Sequence, residues 1–443
     1  MAHATFHFPE GFLWGTATSS HQVEGNNTNN NWHYWEQEGR IDSGHTCGLA
    51  CDWWGGRWQD DFDRASEAGQ NTHRLSIEWS RIQPALDRWD DDALDHYRQM
   101  LRGLTERGLT PMVTLHHFTD PLWLMFLGGW EYEPVASHFE AYVRRVVEAL
   151  GDYVDLWCTI NEPNVYAAIG YLFGDFPPGK KKLGAAYRVM TNLARGHAAA
   201  YHAIKELQPH SRVGMAINYR GFLPAHKFLP SDRILAKALS RIFNDFFPRT
   251  AKDGVLRFLA HSKRIPEARG TQDFLGLNYY TREFVTINPF SPGNMVFFVK
   301  NFYDPEAELS STGFIANEPL GFFDALRWGL QFDVPIIVTE NGVEDHEDSM
   351  RRRYLIQHIH QLWRGVNFNW PIEGYYHWTL VDNFEWERGW TQRFGLWELE
   401  PETQTRRKRP SADLYAAICR QNALSSEMVA EFAPELLESM FPG

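Results

Sequence analysis

The run "DLWCTIN", residues 155–161, has an apolar or β-branched side chain at every position from 156 to 160 and leads into Asn161-Glu162-Pro163. It does not alternate apolar with polar residues, so both of its faces are buried, as in a parallel strand covered on both sides. Seven more short apolar runs bounded by Gly, Pro or Asn behave the same way: "GFLWGTAT" (11–18), "NTHRLSI" (71–77), "TPMVTLHHF" (110–118), "SRVGMAIN" (211–218), "DFLGLNYY" (273–280), "VPIIVTEN" (334–341) and "EGYYHWTL" (373–380).

Helical stretches lie between several of these runs. "DDDALDHYRQMLRGLTERG" places Leu94, Tyr97, Leu101 and Leu104 at helical spacing, opens on aspartates and meets Gly108. "PVASHFEAYVRRVVEALG" repeats the pattern with Phe139, Val143, Val146, Val147 and Leu150. Eight buried strands alternating with helices predict a single-domain (β/α)8 TIM barrel with long loops over its C-terminal face. A doubly wound sheet is the runner-up, but no Gly-rich phosphate fingerprint follows any strand. The segments 24–60 and 281–320, after the first and sixth strands, are expected to wall a deep pocket. One domain over 1–443 is expected. From about residue 420 an extra amphipathic helix docks on the surface or on a partner chain, which leaves a homo-oligomer open.

Composition bounds the partners. The formal charge is −13, and the single basic run, "RRKR" at 406–409, reads as a solvated loop, so neither nucleic acid nor a membrane is expected as partner. The N-terminus has no leader pattern, and no stretch of about 18 apolar residues exists. Four scattered cysteines make neither a disulfide framework nor a zinc set, and free thiols predict a cytoplasmic protein. The 18 tryptophans are mostly core by default, although Trp also suits stacking on a sugar ring.

Glu162 ends the fourth strand and Glu340 the seventh, each beside an amide, Asn161 and Asn341. Polar side chains at strand C-termini converge on the barrel mouth. A single such Glu is most often a salt bridge or a cap. Two facing one pocket are what glycosidic cleavage needs: an acid for the leaving oxygen and a carboxylate for the other face of the sugar.

"TINEP" and "VTENG" resemble the paired signatures of the family 1 glycoside hydrolases, the β-glucosidase and β-galactosidase family with a (β/α)8 fold. "GFLWGTATSSHQVEG", "HRLSIEWSRI", "TLHHFTDP", "LGLNYYT", "HWTLVDNFEW" and "RFGL" resemble further family segments in the same order, from residue 6 to about 418. The resemblance implies a retaining β-glycosidase acting on terminal β-D-glucosyl, and also β-D-galactosyl or β-D-fucosyl, residues of small β-glycosides and short β-linked oligosaccharides. Glu162 is implied as general acid/base and Glu340 as nucleophile, with Arg74 and Tyr280 supporting the nucleophile.

Gln22 and Glu385 are implied as binders of the outer hydroxyls, flanked by His117 and Trp386. Asn161 would reach the 2-hydroxyl, Trp378 would form the stacking floor, and Asn278 and Phe394 would act as supporting and wall residues. The carboxylates of a retaining pair stand about 5–5.5 Å apart. Glu340's charge is expected to hold the proton on Glu162. No metal or organic cofactor is implied.

The sequence also departs from the family pattern. Phe118 stands where Trp is frequent, Glu78 where Ser is commoner, and Trp390 where Tyr is frequent. "GDFPPG" at 174–179 replaces a His-Ala-Pro-Gly loop. Glu385 argues against 6-phosphorylated substrates and Glu162 against the thioglucosidase branch. The reading from another class, a non-catalytic sugar-binding barrel, would be expected to have lost a carboxylate.

Overall fold

A computed structural model of the chain describes residues 4–259, 261–288 and 299–441. All eight expected runs are strands: β1 (Leu13–Ala17), β2 (Thr72–Ser76), β3 (Thr110–His116), β4 (Leu156–Asn161), β5 (Arg212–Asn218), β6 (Phe274–Tyr279), β7 (Ile336–Asn341) and β8 (Ile372–Trp378). They pair in parallel in chain order, and β8 pairs with β1 to close the barrel.

Helices cover the outside: α1 (Trp58–Glu67), α2 (Asp91–Glu106), α3 (Val135–Leu150), α4 (Leu183–Leu207), α5 (Phe246–Asp253), α6 (Pro319–Gly329), α7 (Ser349–Asn367) and α8 (Pro410–Gln421). The start of α2 shows why the aspartates precede it. The Asp90 side chain accepts from the Ala93 N–H at 2.9 Å, satisfying one orphan donor. At the other end Gly108 takes a φ of +73°, a turn that costs glycine little. The periodic residues Leu94, Tyr97, Leu101 and Leu104 are all buried.

Register and pleat decide which side chains enter the barrel. Met112, Leu156, Phe274, Ile337 and Tyr376 form its packed interior. At the rim Asn218 lies opposite Asn278, and Asn278 opposite Glu340, so three polar side chains stand in a row across β5, β6 and β7. The ladders slip beside both signature glutamates, between Cys158 and Asn161 and between Val338 and Asn341. Such irregularities bend a strand and re-aim its side chains.

Two expectations change. "RRKR" is only partly solvated. Arg406 reaches the buried Asp61 at 3.1 Å, and Arg409 grips the buried Asp382 through two bonds of 2.8 and 2.9 Å. Only Arg407 and Lys408 are exposed: Arg406, inside the strand Thr405–Lys408, and Arg409, just beyond it, each turn to a buried aspartate. The tail is not a single helix. Ala423–Ser425 pairs antiparallel with Thr5–His7, and two short helices follow (Ser426–Phe432 and Leu437–Met440). Part of the expected 281–320 wall, 289–298, lies outside the described residues. Among the described residues no helix is long and apolar enough to cross a membrane.

Candidate active site

Above the C-terminal ends of the strands is a cavity of about 970 Å³. Nine of the twelve candidate residues line it: His117, Asn161, Glu162, Tyr280, Glu340, Trp378, Glu385, Trp386 and Phe394. Gln22, Arg74 and Asn278 stand one contact behind. The expected walls after β1 and β6 contribute Trp35 and Phe314 among others. Segments after β4, β5 and β8 contribute as well, with Phe173, Phe222 and Arg388.

The two glutamates reach the cavity by different routes. Glu340 is the inward residue of β7, and its neighbour Asn341 turns outward, where its amide is held by the Tyr279 carbonyl at 2.6 Å and Tyr354 at 3.0 Å. That is ordinary strand alternation. Glu162 follows an inward Asn161 and should point away. Instead its backbone is left-handed (φ +44°, ψ +55°), uncommon for a residue other than glycine, and Pro163 at once begins a helix. The turn brings both neighbours to the same cavity. Phe118 and Trp386, also lining it, share positive φ values of +67° and +47°. Such strain persists where surrounding contacts over-determine it, commonly at functional sites.

Their surroundings differ. Glu340 accepts from Arg74 Nη1 at 2.6 Å and from the Tyr280 hydroxyl at 2.6 Å. Burial pushes its carboxyl above the ordinary range, and Arg74, then Tyr280, pull it back. Among the described residues no cation pairs with Glu162. Its Oε1 accepts two neutral amides, Asn218 Nδ2 and Asn278 Nδ2, both at 2.8 Å. Its carboxyl is pushed up to about 8, first by burial and second by the charge of Glu340. The sequence-based expectation had named only the second cause.

Asn161 joins the two halves. Its oxygen accepts from Arg74 Nη2 at 2.7 Å and Asn278 Nδ2 at 3.1 Å, which turns its NH2 toward His117 Nε2 at 3.0 Å. Burial keeps His117 neutral, so with Nε2 accepting, the proton sits on Nδ1, which has no partner among the described residues.

Glu385 accepts from Gln22 Nε2 at 3.0 Å. Gln22 is fully buried, spends the same NH2 on the Phe384 carbonyl, and stands behind the residues that line the cavity. Burial, then the charges of Glu387 and Glu340, push the Glu385 carboxyl well up. Trp386 stacks on His117 with centroids 5.9 Å apart, and Phe394 meets Tyr280 edge-on.

Glu78 now has an account. Fully buried, it accepts from Ser20 (2.8 Å), Thr119 (2.9 Å) and Ser80 (2.7 Å). It therefore ties the short helix carrying Gln22 to the segment carrying His117. Sequence reasoning passed over Asn218, although it ends β5 as Asn161 ends β4. A strand-end amide was the available signal. Among the described residues no group of three or more His, Cys, Asp and Glu is arranged to hold a metal.

The model of glycosyl hydrolase family 1 matches residues 4–424. Beta-glucosidase A of Thermotoga maritima is 32% identical over 94% of this chain and 98% of its own. The 1,4-beta-D-glucan glucohydrolase of Thermotoga neapolitana is 31% identical over 94% and 99%. Among solved structures, a beta-glycosidase from Pyrococcus horikoshii superposes with a TM-score of 0.89 at 36% identity, covering 97% of this chain and 98% of that one.

Proposed function

Because the chain belongs to glycosyl hydrolase family 1, we propose that it is a retaining β-glycosidase, releasing terminal β-D-glucosyl residues through a covalent glycosyl-enzyme intermediate. β-D-Galactosyl and β-D-fucosyl residues are further substrates. The observation that carries this reading is the unlike setting of two carboxyls lining one cavity: Glu340 on a guanidinium and a phenol, Glu162 on neutral amides.

Glu162 holds its proton at neutral pH and gives it to the glycosidic oxygen as that bond breaks. Glu340, kept closer to its ionised form by Arg74, forms the ester with the anomeric carbon. The ester carries no charge, so one of the two causes holding up Glu162 disappears. Glu162 then takes a proton from water, which attacks the anomeric carbon and frees Glu340. His117 and Glu385 are placed for sugar hydroxyls, Trp378 and Trp386 for ring faces, and Asn161 for the 2-hydroxyl. Arg74, Asn278 and Gln22 position the groups in front of them. Four free, buried cysteines support a cytoplasmic setting.

Turnover of an aryl β-glucoside by wild type and by Glu340→Gln tests the assignment, with near-complete loss expected. Glu162→Ala should recover cleavage of activated aryl glucosides when azide is added, giving a β-glycosyl azide. Equal rates for wild type and Glu340→Gln would end the catalytic reading.

A further inference from the structure

The chain carries its charge unevenly. Residues 226–270 hold ten Lys and Arg against four Asp and Glu, although the formal charge of the whole is −13. The same segment carries the most exposed large apolar side chain of the described residues, Phe228 at 97%, with Ile234 at 69%, Leu259 at 51% and Leu229 at 47%. Single exposed apolar residues are ordinary, whereas a group of them set among cations marks a contact surface.

The helix Pro230–Phe243 shows how the two kinds of residue come together. Its inner face packs Ala236 and Leu239 beside Val285 and Phe222. On the opposite face Ile234, Lys237, Ala238 and Arg241 follow at the spacing of one helix side, directly after the exposed Phe228 and Leu229. Ala238 and Arg241 also border a second cavity of about 560 Å³, which they share with Arg249 of α5 and with Arg257 and Leu259 of the next segment. Helix face and groove therefore belong to one side of the molecule.

The cations there are free to meet a partner. Among the described residues Lys227, Arg233, Lys237 and Arg241 form no ion pair. Arg249 and Arg257 are held by Asp245 at 3.0 Å and Asp253 at 2.7 Å. Asp232, the one acid between 227 and 243, is buried and paired with His226.

We propose that this face docks on an anionic phospholipid bilayer. Phe228 and Ile234 enter the boundary of the acyl chains, and the Lys and Arg around them meet the headgroup phosphates. The contact is peripheral and needs no membrane-crossing helix. The formal charge of the whole chain, which speaks against a membrane, averages this basic side with an acidic remainder. A second copy joined about a two-fold axis would set the same cations against one another. A nucleic acid would leave Phe228 and Ile234 in water. The inference does not depend on the glycosidase reading.

The test is co-sedimentation of the full chain with vesicles of equal parts phosphatidylcholine and phosphatidylserine, beside vesicles of phosphatidylcholine alone. Each Lys or Arg near an anionic surface strengthens binding about fivefold, so the mixed vesicles should bind at least about tenfold more tightly, and high salt should release the protein. The double variant Lys237→Ala/Arg241→Ala should weaken binding at least about tenfold. Phe228→Ser should weaken it about tenfold, the worth of burying that side chain. Both variants change exposed residues, so each should keep the wild-type Tm. No binding, or equal binding to the two vesicles, overturns the inference. Binding unmoved in both variants also overturns it, because another face then meets the lipid. Loss with the charge pair but not with Phe228→Ser overturns it in favour of a polyanion such as nucleic acid. Dimers in light scattering without vesicles, abolished by Phe228→Ser, would assign the face to a second copy instead.

Discussion

Replacing Asn218 by Ala removes one of two amides that donate to Glu162 Oε1, each at 2.8 Å. A hydrogen bond to a charged group contributes about 1.5–3 kcal/mol, and one pH unit corresponds to about 1.4 kcal/mol, so a lone donor would move a carboxyl by about one to two units. Asn278 keeps its bond to the same oxygen, which places the effect at the lower end, about one unit. The sign follows from which form the amide favours. It donates to the carboxylate, so its loss disfavours ionisation and raises the value from about 8. Activity that needs a protonated Glu162 therefore survives to higher pH. The assay is kcat/KM for an aryl β-glucoside from pH 5 to 10, with the alkaline limb expected to move up by about one unit while the acid limb stays. An alkaline limb that stays near 8, or moves down, would refute the assignment of that limb to Glu162.

Tyr280→Phe keeps the ring against Phe394 and deletes the 2.6 Å bond to Glu340, so the acid limb should move up and kcat/KM should fall by about 10- to 100-fold, read from the same pH profile. Glu162→Gln should raise Tm, and more at pH 8 than at pH 5. Between about 4.5 and 8 the folded carboxyl holds a proton that the unfolded chain releases, so wild-type stability falls as pH rises through that window and the amide variant escapes the loss. Glu78→Ala leaves three buried hydroxyls without their acceptor and frees two walls of the sugar pocket; KM for glucosides should rise with Tm falling, and Glu78→Gln should restore part of both. Arg409→Ala removes the nearer of two arginines from the buried Asp382, Arg393 remaining at 3.8 Å, and should destabilise by about 3 kcal/mol in urea unfolding, with little change in the pH profile.

The barrel was legible because burial on both faces leaves a coarse mark: eight unbroken apolar runs, each the right length for a strand. The glutamates were legible because strand ends converge. What the sequence concealed depends on contacts between distant segments. Arg406 and Arg409 are drawn inward by partners at Asp61 and Asp382, hundreds of residues and tens of residues away respectively, so the run reads as a solvated loop when taken alone. Gln22 lies behind the wall because Glu385 and the Phe384 carbonyl, from the far end of the chain, claim its amide.

Asn161-Glu162 and Glu340-Asn341 look like mirror images in sequence, yet the backbone treats them differently. Glu340 needs no special conformation: β7 delivers it inward and sends its amide into the outer layer, where Tyr354 fixes it. Glu162 is delivered by a left-handed residue locked before Pro163, which lets Asn161 stay inward too. That second inward amide matters for charge. It takes one face of Arg74 at 2.7 Å, while the other face goes to Glu340 at 2.6 Å. A guanidinium shared in this way makes its contacts with Asn161 and Glu340, and its charge lowers Glu162 less than burial and the neighbouring Glu340 raise it. The same turn that breaks strand alternation is thus what separates the two proton affinities.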